Sequence, residues 1–259
     1  MYYIIQENTF REQNYNNLIS TLDRMELPYE IVKVLPFVDD FEFETDRKDI
    51  FCFGSVKMSR VAKKYSWYPG SLLNENHDYT VYSRYYKDNL LNYDSIIQKF
   101  GDDIKTTEIF FARPVLDNKT FTGRVFDIYE WNEFKDRHFS SGHESTLNND
   151  TLIQISSVKK ILKEFRFWVI GGEVVTGSLY KTGSFVYSSD IVDDGALDFC
   201  KEMVKIYQLA DAFVMDICEV SNGQVSEYKI VECGCINSAG FYQCNMQKMI
   251  NAIEVNWNT

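Results

Sequence analysis

The chain has 259 residues, 45% of them hydrophobic, 25% charged and 15% aromatic, which is ample apolar material for a sizeable core. Its formal net charge of -11 repels nucleic acid and anionic membrane, so a general nucleic-acid binder is not expected. No apolar run approaches the ~20 residues of a membrane span, and Met1-Tyr2-Tyr3-Ile4 does not resemble a signal peptide; a soluble, cytoplasmic protein with reduced cysteines is expected.

Residues 2–5 read as a strand. Residues 12–27 read as a helix, because Leu18, Ile19, Leu22 and Met25 recur at helical spacing. Residues 29–35 alternate like a strand that stops at Pro36. A further strand over 49–53 runs through Gly54-Ser55 into a helix over 56–65. This β-α-β-β-α order over residues 1–75 predicts a small α/β lobe with a partly parallel sheet. The Gly54-Ser55 junction can cradle an anion on a helix N-terminus, although a simple tight turn is the commoner reason for it.

Pro69-Gly70 marks a break, and Leu91, Ile96, Ile97 and Phe100 predict a helical connector over 90–100. A strand over 104–115 ends at Ala112-Arg113-Pro114, since proline cannot donate to a ladder. Residues 116–123 form a polar loop, 125–134 a helix or strand, and 132–150 a second polar loop. Strands follow over 151–157 and 161–170. On the longer one Glu164, Arg166 and Trp168 share one face, and Phe165, Phe167 and Val169 the other. Gly171-Gly172 turns the chain into a paired strand over 173–180, and residues 181–184 turn it again toward an extended 185–187. A helix over 196–208 precedes a strand over 213–220, a tight turn at Ser221-Asn222-Gly223, a return strand over 228–232 and a closing helix over 243–255.

Asp216 and Glu232 lie on two strands joined by this hairpin. Neighbouring strands are about 5 Å apart, so two acids on one face can share a cation. Hard oxygen donors suit Mg²⁺, and Asn237 can add a neutral oxygen; the alternative is that both acids are exposed strand ends. Arg113, Lys119, Arg166 and Lys181 punctuate the strands of the second half. Each alone reads as a surface charge; together with two acids they fit a polyphosphate–Mg²⁺ site. Neither glycine-rich phosphate loop motif is present, and no Ser-His-Asp or Cys-His arrangement stands out. Cys233, Cys235 and Cys244 lack a fourth ligand at zinc spacing, so buried thiols are expected. His77, His138 and His143 are too scattered for a histidine-based site.

Four blocks stand in order along the chain. They are Phe111-Ala112-Arg113-Pro114 with Asp117, Lys119, Phe121 and Gly123; Glu164 to Val169 with Ser178 and Tyr180; Phe213-Val214 with Asp216; and Glu232 to Tyr242. In this pattern the chain resembles the ATP-grasp superfamily, and within it the clade named for an arginine-to-lysine exchange, known mostly from phage and bacterial genomes. The resemblance implies an α/β and α+β fold: a pre-ATP-grasp α/β lobe over 1–75, then an ATP-grasp domain over 76–259 whose two α+β lobes clasp ATP, with a hinge near 152–157. Arg113 would bind phosphate where the superfamily usually has lysine, and the loop carrying Lys119 would cover the phosphates. Gln154, Ile155 and Ser156 would read adenine through the backbone. Arg166 would face the transferring phosphate with Lys181 nearby, and Asp216, Glu232 and Asn237 would hold Mg²⁺. The superfamily's usual Glu-x-Asn is broken here, because Gly234 follows Glu232-Cys233.

The implied activity is an ATP- and Mg²⁺-dependent carboxylate–amine ligation through an acyl phosphate, on amino-acid, peptide or protein substrates. A phosphotransferase, or a nucleotide-binding module without turnover, are the alternatives, since fold alone does not fix function.

Overall fold

The structure is a computed structural model that describes residues 1–8, 11–34, 43–106, 108–116, 121–140, 147–221, 223 and 225–257. Its strands form three sheets.

The first sheet is built from β1 (Tyr2–Gln6), β2 (Tyr29–Val32), β3 (Asp49–Phe53) and β4 (Tyr68–Gly70), in the order β2-β1-β3-β4, with every pairing parallel. Helices α1 (Tyr15–Arg24) and α2 (Val56–Lys64) make the crossovers that parallel strands require. Side chains alternate: Tyr3, Ile5, Phe51 and Phe53 face Leu18 and Leu22 of α1, while Ile4, Ile50 and Cys52 face Met58, Val61 and Ala62 of α2. The expected α/β lobe is thus present, wholly parallel in its described strands. The expected break at Pro69-Gly70 is instead a short strand; Pro69 is tolerated because β4 is the edge.

After helix α3 (Tyr79–Tyr86) the chain forms β5 (Ile96–Lys99), where a helix was expected. The second sheet adds β6 (Phe110–Pro114), β7 (Arg124–Phe126) and β8 (Leu152–Ser157), antiparallel in the order β5-β8-β6-β7. Helix α4 (Ile128–Ser140) covers it, where a polar loop was expected from residue 132. A capping box starts α4: the Asp127 carboxylate accepts from the Glu130 N–H at 2.8 Å, and the Glu130 carboxylate accepts from the Asp127 N–H at 3.2 Å. Trp131 anchors the helix among Phe100, Phe110 and Phe126.

The third sheet holds β9 (Ile161–Ile170), β10 (Glu173–Thr182), β11 (Phe185–Ser189), β12 (Ala212–Ser221) and β13 (Ser226–Gly234). It is antiparallel, in the order β11-β10-β9-β12-β13. Helices α5 (Asp194–Ile206) and α6 (Met246–Trp257) pack on opposite faces of it. Phe165, Phe167 and Val169 of β9 share one core with α5 and α3. On the other face Trp168 and Ile170 share a core with the first sheet and α6. Glu164 and Arg166 stand on that same face, and there the apolar side chains give way to charged ones. Asn222 of the β12–β13 turn and His143 lie outside the described residues. Among the described residues no helix is long and apolar enough to cross a membrane.

Candidate active site

The register of the third sheet brings its charged residues into one row. Arg166 of β9 is opposite Asp216 of β12, and Asp216 is opposite Glu232 of β13. Directly opposed residues point to the same face. Two register shifts complete the row. One between Leu179 and Lys181 sets Lys181 opposite Glu164 and turns Tyr180 to the same side; another leaves Val231 as the extra residue beside Glu232.

These charges are paired. Arg166 donates from Nε and Nη2 to the two oxygens of Asp216, both at 2.7 Å, a bidentate fork. Lys181 contacts Glu164 at 2.5 Å, and the Tyr180 hydroxyl donates to Glu164 at 3.0 Å and to Asp216 at 3.4 Å. Arg113, reaching from β6 of the second sheet, meets Glu232 at 2.5 Å and so bridges two sheets. The pairs differ in depth: the Asp216 side chain is 3% exposed and that of Glu232 32%. Burial lifts the Asp216 carboxyl above its ordinary range against the pull of Arg166, and Glu232 and Glu164 push it the same way. Burial acts against the charge of Arg166, but Asp216 more than offsets it and raises its pKa. Arg166 also lies over the ring of Tyr242, 5.0 Å from its centroid, and Tyr242 stacks on Tyr180 at 4.7 Å.

A cavity of about 570 Å³ opens between the second and third sheets, within the size range of small-molecule sites. Arg113, Arg124, Lys159 and Lys181 line it against two carboxylates, Glu164 and Glu232, so a chain of net charge -11 presents a cationic cleft here. Leu91, Phe111, Phe121, Val158 and Ile161 add apolar surface, and Asn92, Thr122 and Ser157 polar groups. Cationic, acidic and apolar side chains thus share one cleft. Gly123 permits the close approach of its wall: a Cβ there would stand 2.8 Å from the ring of Phe111 and 3.0 Å from Cβ of Arg113.

Arg113, Lys181 and Glu232 line this cavity, and Arg166 and Asp216 lie behind Tyr180. Lys119 is outside the described residues. Two expectations need correction. Gln154 and Ile155 are laddered on both sides, to β5 and β6, so their backbone groups are not free to read a base. The side chains of Gln154 and Ser156 are turned to Ser95 and Asn92. The residues of this segment that reach the cavity are Ser157, Val158 and Lys159, one step further on.

Asn237 does not join the two acids. It is 3% exposed; its Oδ1 accepts from the Leu72 N–H at 2.8 Å, and its Nδ2 donates to the carbonyls of Cys52 at 2.7 Å and Gly70 at 3.2 Å. It is a tie between the segment after β13 and the first sheet. Gly234 shares the side of Glu232 by alternation and offers no side-chain donor. Among the described residues no group of three acids, cysteines or histidines could enclose a metal, and all six cysteines are buried and free. Asp216 and Glu232 are hard oxygen donors on one face of the sheet, of the kind Mg²⁺ takes, but Arg166 holds both oxygens of Asp216 and Arg113 contacts Glu232.

The Gly54-Ser55 junction is the simple tight turn that the sequence favours over an anion cradle. The Gly54 N–H donates to the Asn237 carbonyl and the Ser55 N–H to Gln6 Oε1, each at 2.8 Å. Sequence reasoning passed over Glu164, Tyr180, Tyr242 and Lys159 as site residues; the alternation that flagged Arg166 also places Glu164 beside it.

A family profile for the ATP-grasp domain, family 3 of the arginine-to-lysine clade, matches residues 47–253. The chain belongs to this ATP-grasp family. No curated protein matches the sequence. Solved structures agree in fold. D-cycloserine synthetase DcsG superposes with a TM-score of 0.64 at 9% identity, covering 99% of both chains. The D-alanine–D-alanine ligase of Bacillus anthracis gives 0.64 at 11%, covering 98% of this chain and 92% of that one. The ATP-grasp ligase PsnB, complexed with a minimal precursor, gives 0.57 at 11% over 99% of each chain. At such identities the likeness establishes the ATP-grasp fold and nothing finer.

Proposed function

We propose that the protein is an ATP- and Mg²⁺-dependent carboxylate–amine ligase, with ATP held in the 570 Å³ cavity between the second and third sheets. A carboxylate oxygen takes the γ-phosphoryl group and ADP departs; a neutral amine then attacks the acyl carbon, the C–O bond to phosphate breaks, and phosphate leaves with the proton that the nitrogen gives up. The observation that carries this reading is the cationic cavity with Arg113 and Glu232 facing each other across it at 2.5 Å. Structures of PsnB with AMPPNP, and with Mg and ADP, are in keeping with it.

In this reading Arg113 exchanges Glu232 for phosphate oxygens, and Lys159 or Arg124 adds positive charge along the chain of phosphates. Asp216 and Glu232 would hold Mg²⁺, and the ion would supply charge neutralisation for the transferred phosphoryl group. Arg166, fixed by Asp216 and Tyr242, keeps its donor fork preorganised beside the reacting centre. Ser157 to Lys159 border the base. The bound substrates are an amino-acid, peptide or protein carboxylate and an amine, and no covalent nucleophile of the chain is needed.

Incubation with ATP, Mg²⁺ and pooled amino acids and peptides tests the proposal. ADP and phosphate together with a new amide mass are expected. ADP with a phosphorylated acceptor points to a phosphotransferase. Glu232→Gln is expected to cut turnover by about 10²-fold or more with the fold intact; near-normal ADP formation in that variant contradicts the metal assignment. A binding module without turnover is the second reading, favoured by the commitment of Asn237 elsewhere and the missing donor at Gly234; ATP protection against unfolding with no ADP under any acceptor would support it.

A further inference from the structure

Where β8 ends, the 570 Å³ cavity has a corner of defined hydrogen-bond polarity. The register that sets Ile96 of β5 opposite Ile155 of β8 continues to Asp94 opposite Ser157. The Ser157 hydroxyl donates to Asp94 Oδ2 at 2.7 Å, and Lys159 Nζ donates to the same oxygen at 2.7 Å. Lys159 Nζ also donates to the Ser157 hydroxyl. Ser157 and Lys159 line the cavity, whereas Asp94 is not among its lining residues. Burial pushes the Asp94 carboxyl up, but the hydrogen bonds from Lys159 and Ser157 more than offset this and hold it below its ordinary range. At neutral pH Asp94 therefore accepts and never donates.

That fixes what its two partners can offer. A hydroxyl has one proton and two lone pairs. Ser157 spends its proton on Asp94 and one lone pair on Lys159, so toward the cavity it can only accept. An ammonium has three protons, and Lys159 spends two of them, so it keeps one donor. Asn92 lines the same cavity and is 6% exposed. The Tyr79 hydroxyl holds its carbonyl at 2.8 Å, and its Oδ1 accepts from the Ser156 hydroxyl at 3.1 Å. Among the described residues Asn92 Nδ2 has no partner, which leaves a second donor. Leu91 and Ile161, packed in one cluster, add apolar surface beside these groups.

Two donors and one acceptor complement adenine, whose N6 amino group donates while N1 and N7 accept. Guanine presents O6 and N7 as acceptors and N1–H as a donor. Its O6 would meet the lone pair of Ser157, and the hydroxyl could turn its proton to O6 only by giving up Asp94. The donor at Asn92 would in turn find N1–H in place of N1.

We propose that Asp94 is a positioning residue that makes this cavity select adenine over guanine, by holding Ser157 as an acceptor and Lys159 as a donor toward the base. The proposal rests on the proposed function, because it needs a nucleotide in this cavity. It gives Lys159 to the base and leaves Arg124 to the phosphates. Asp94 acts only through its two partners.

Calorimetric affinities for AMPPNP, GMPPNP and inorganic tripolyphosphate, each with Mg²⁺, test it. Wild-type protein is expected to prefer AMPPNP over GMPPNP by about tenfold to a hundredfold. Asp94→Ala should bring that preference within about threefold while the affinity for tripolyphosphate, which carries no base, is unchanged. Ser157→Ala should narrow the preference in the same way, through loss of the acceptor itself. The Asp94 side chain is 47% exposed, so both variants should fold, with melting temperature as the check. An undiminished preference in Asp94→Ala overturns the proposal. So does a loss of tripolyphosphate affinity in that variant equal to its loss of AMPPNP affinity, which would make Asp94 a support of the whole cavity. If wild-type protein binds AMPPNP and GMPPNP equally, the base selection falls and the proposed function stands; if it binds neither, both fall.

Discussion

The third sheet meets its two neighbours in opposite ways. Against the first sheet it makes a continuous core: Trp168, Ile170, Ala212 and Val214 pack with Tyr3, Ile5, Phe51 and Phe53. Asn237 stitches the same seam with three backbone hydrogen bonds of 3.2 Å or less. Against the second sheet it leaves a 570 Å³ cavity, spanned by the Arg113–Glu232 ion pair. A packed apolar seam is costly to open, whereas a partly exposed ion pair exchanges partners at little cost. The difference separates a fixed platform from a clasp. It also divides the segment from Glu232 to Tyr242, whose first residue belongs to the clasp and whose asparagine belongs to the platform.

Removing a buried polar partner should have the largest effects on stability. Arg166→Ala leaves Asp216 buried and unpaired, and a loss of about 3–5 kcal/mol is expected in urea unfolding. A loss below about 1 kcal/mol would show that the pair is not a buried anchor. Asn237→Ala removes partners from Cys52, Gly70 and Leu72, each unsatisfied group costing about 1–3 kcal/mol. It should lower the melting temperature while AMPPNP affinity in the folded protein is retained. If that affinity fell and stability did not, Asn237 would belong to the metal site after all.

Smaller in effect, the thiols test how dry the cores are. Burial pushes Cys218 and Cys244 up to about 12, so at pH 8 both are thiols and shielded. A thiol-exchange reagent should react with none of the six cysteines until denaturant is added. Rapid native reaction would mean that these cores open. At the bottom of the scale, Asp150→Asn breaks only the exposed contact with Lys99, and no measurable change in melting temperature is expected.

Where one periodicity governs a segment, the sequence is informative. The apolar run 50–53, closed by Gly54, lies in β3 at 49–53, and residues 164–167, with Glu164 and Arg166 opposite Phe165 and Phe167, mark β9 at 161–170. Residues 90–100 mislead because their apolar residues serve different cores: Leu90 packs beside α3 and α5, Leu91 beside Cys218, and Phe100 beside Trp131. A chain crossing several cores imitates a helical period. Helix α4 is hidden by its polar surface, since Trp131 is its one buried residue; the Asp127–Glu130 capping box was the available clue. In the site, Arg113, Arg166, Asp216 and Glu232 were legible as charges at strand ends or on one strand face. Which charges pair was not, because register shifts at Tyr180 and Val231 set the partners and leave no local mark in the sequence. Asn237 was misread because a carboxamide serves a metal or a backbone equally well, and only the fold puts Cys52, Gly70 and Leu72 around it.

The clasp is tested most directly by calorimetric titration of AMPPNP with Mg²⁺ into wild-type protein and Arg113→Ala. A weakening of about tenfold to a hundredfold is expected, the worth of one charged hydrogen-bonding partner. Equal affinity for the two proteins would mean that the phosphates do not lie between the second and third sheets.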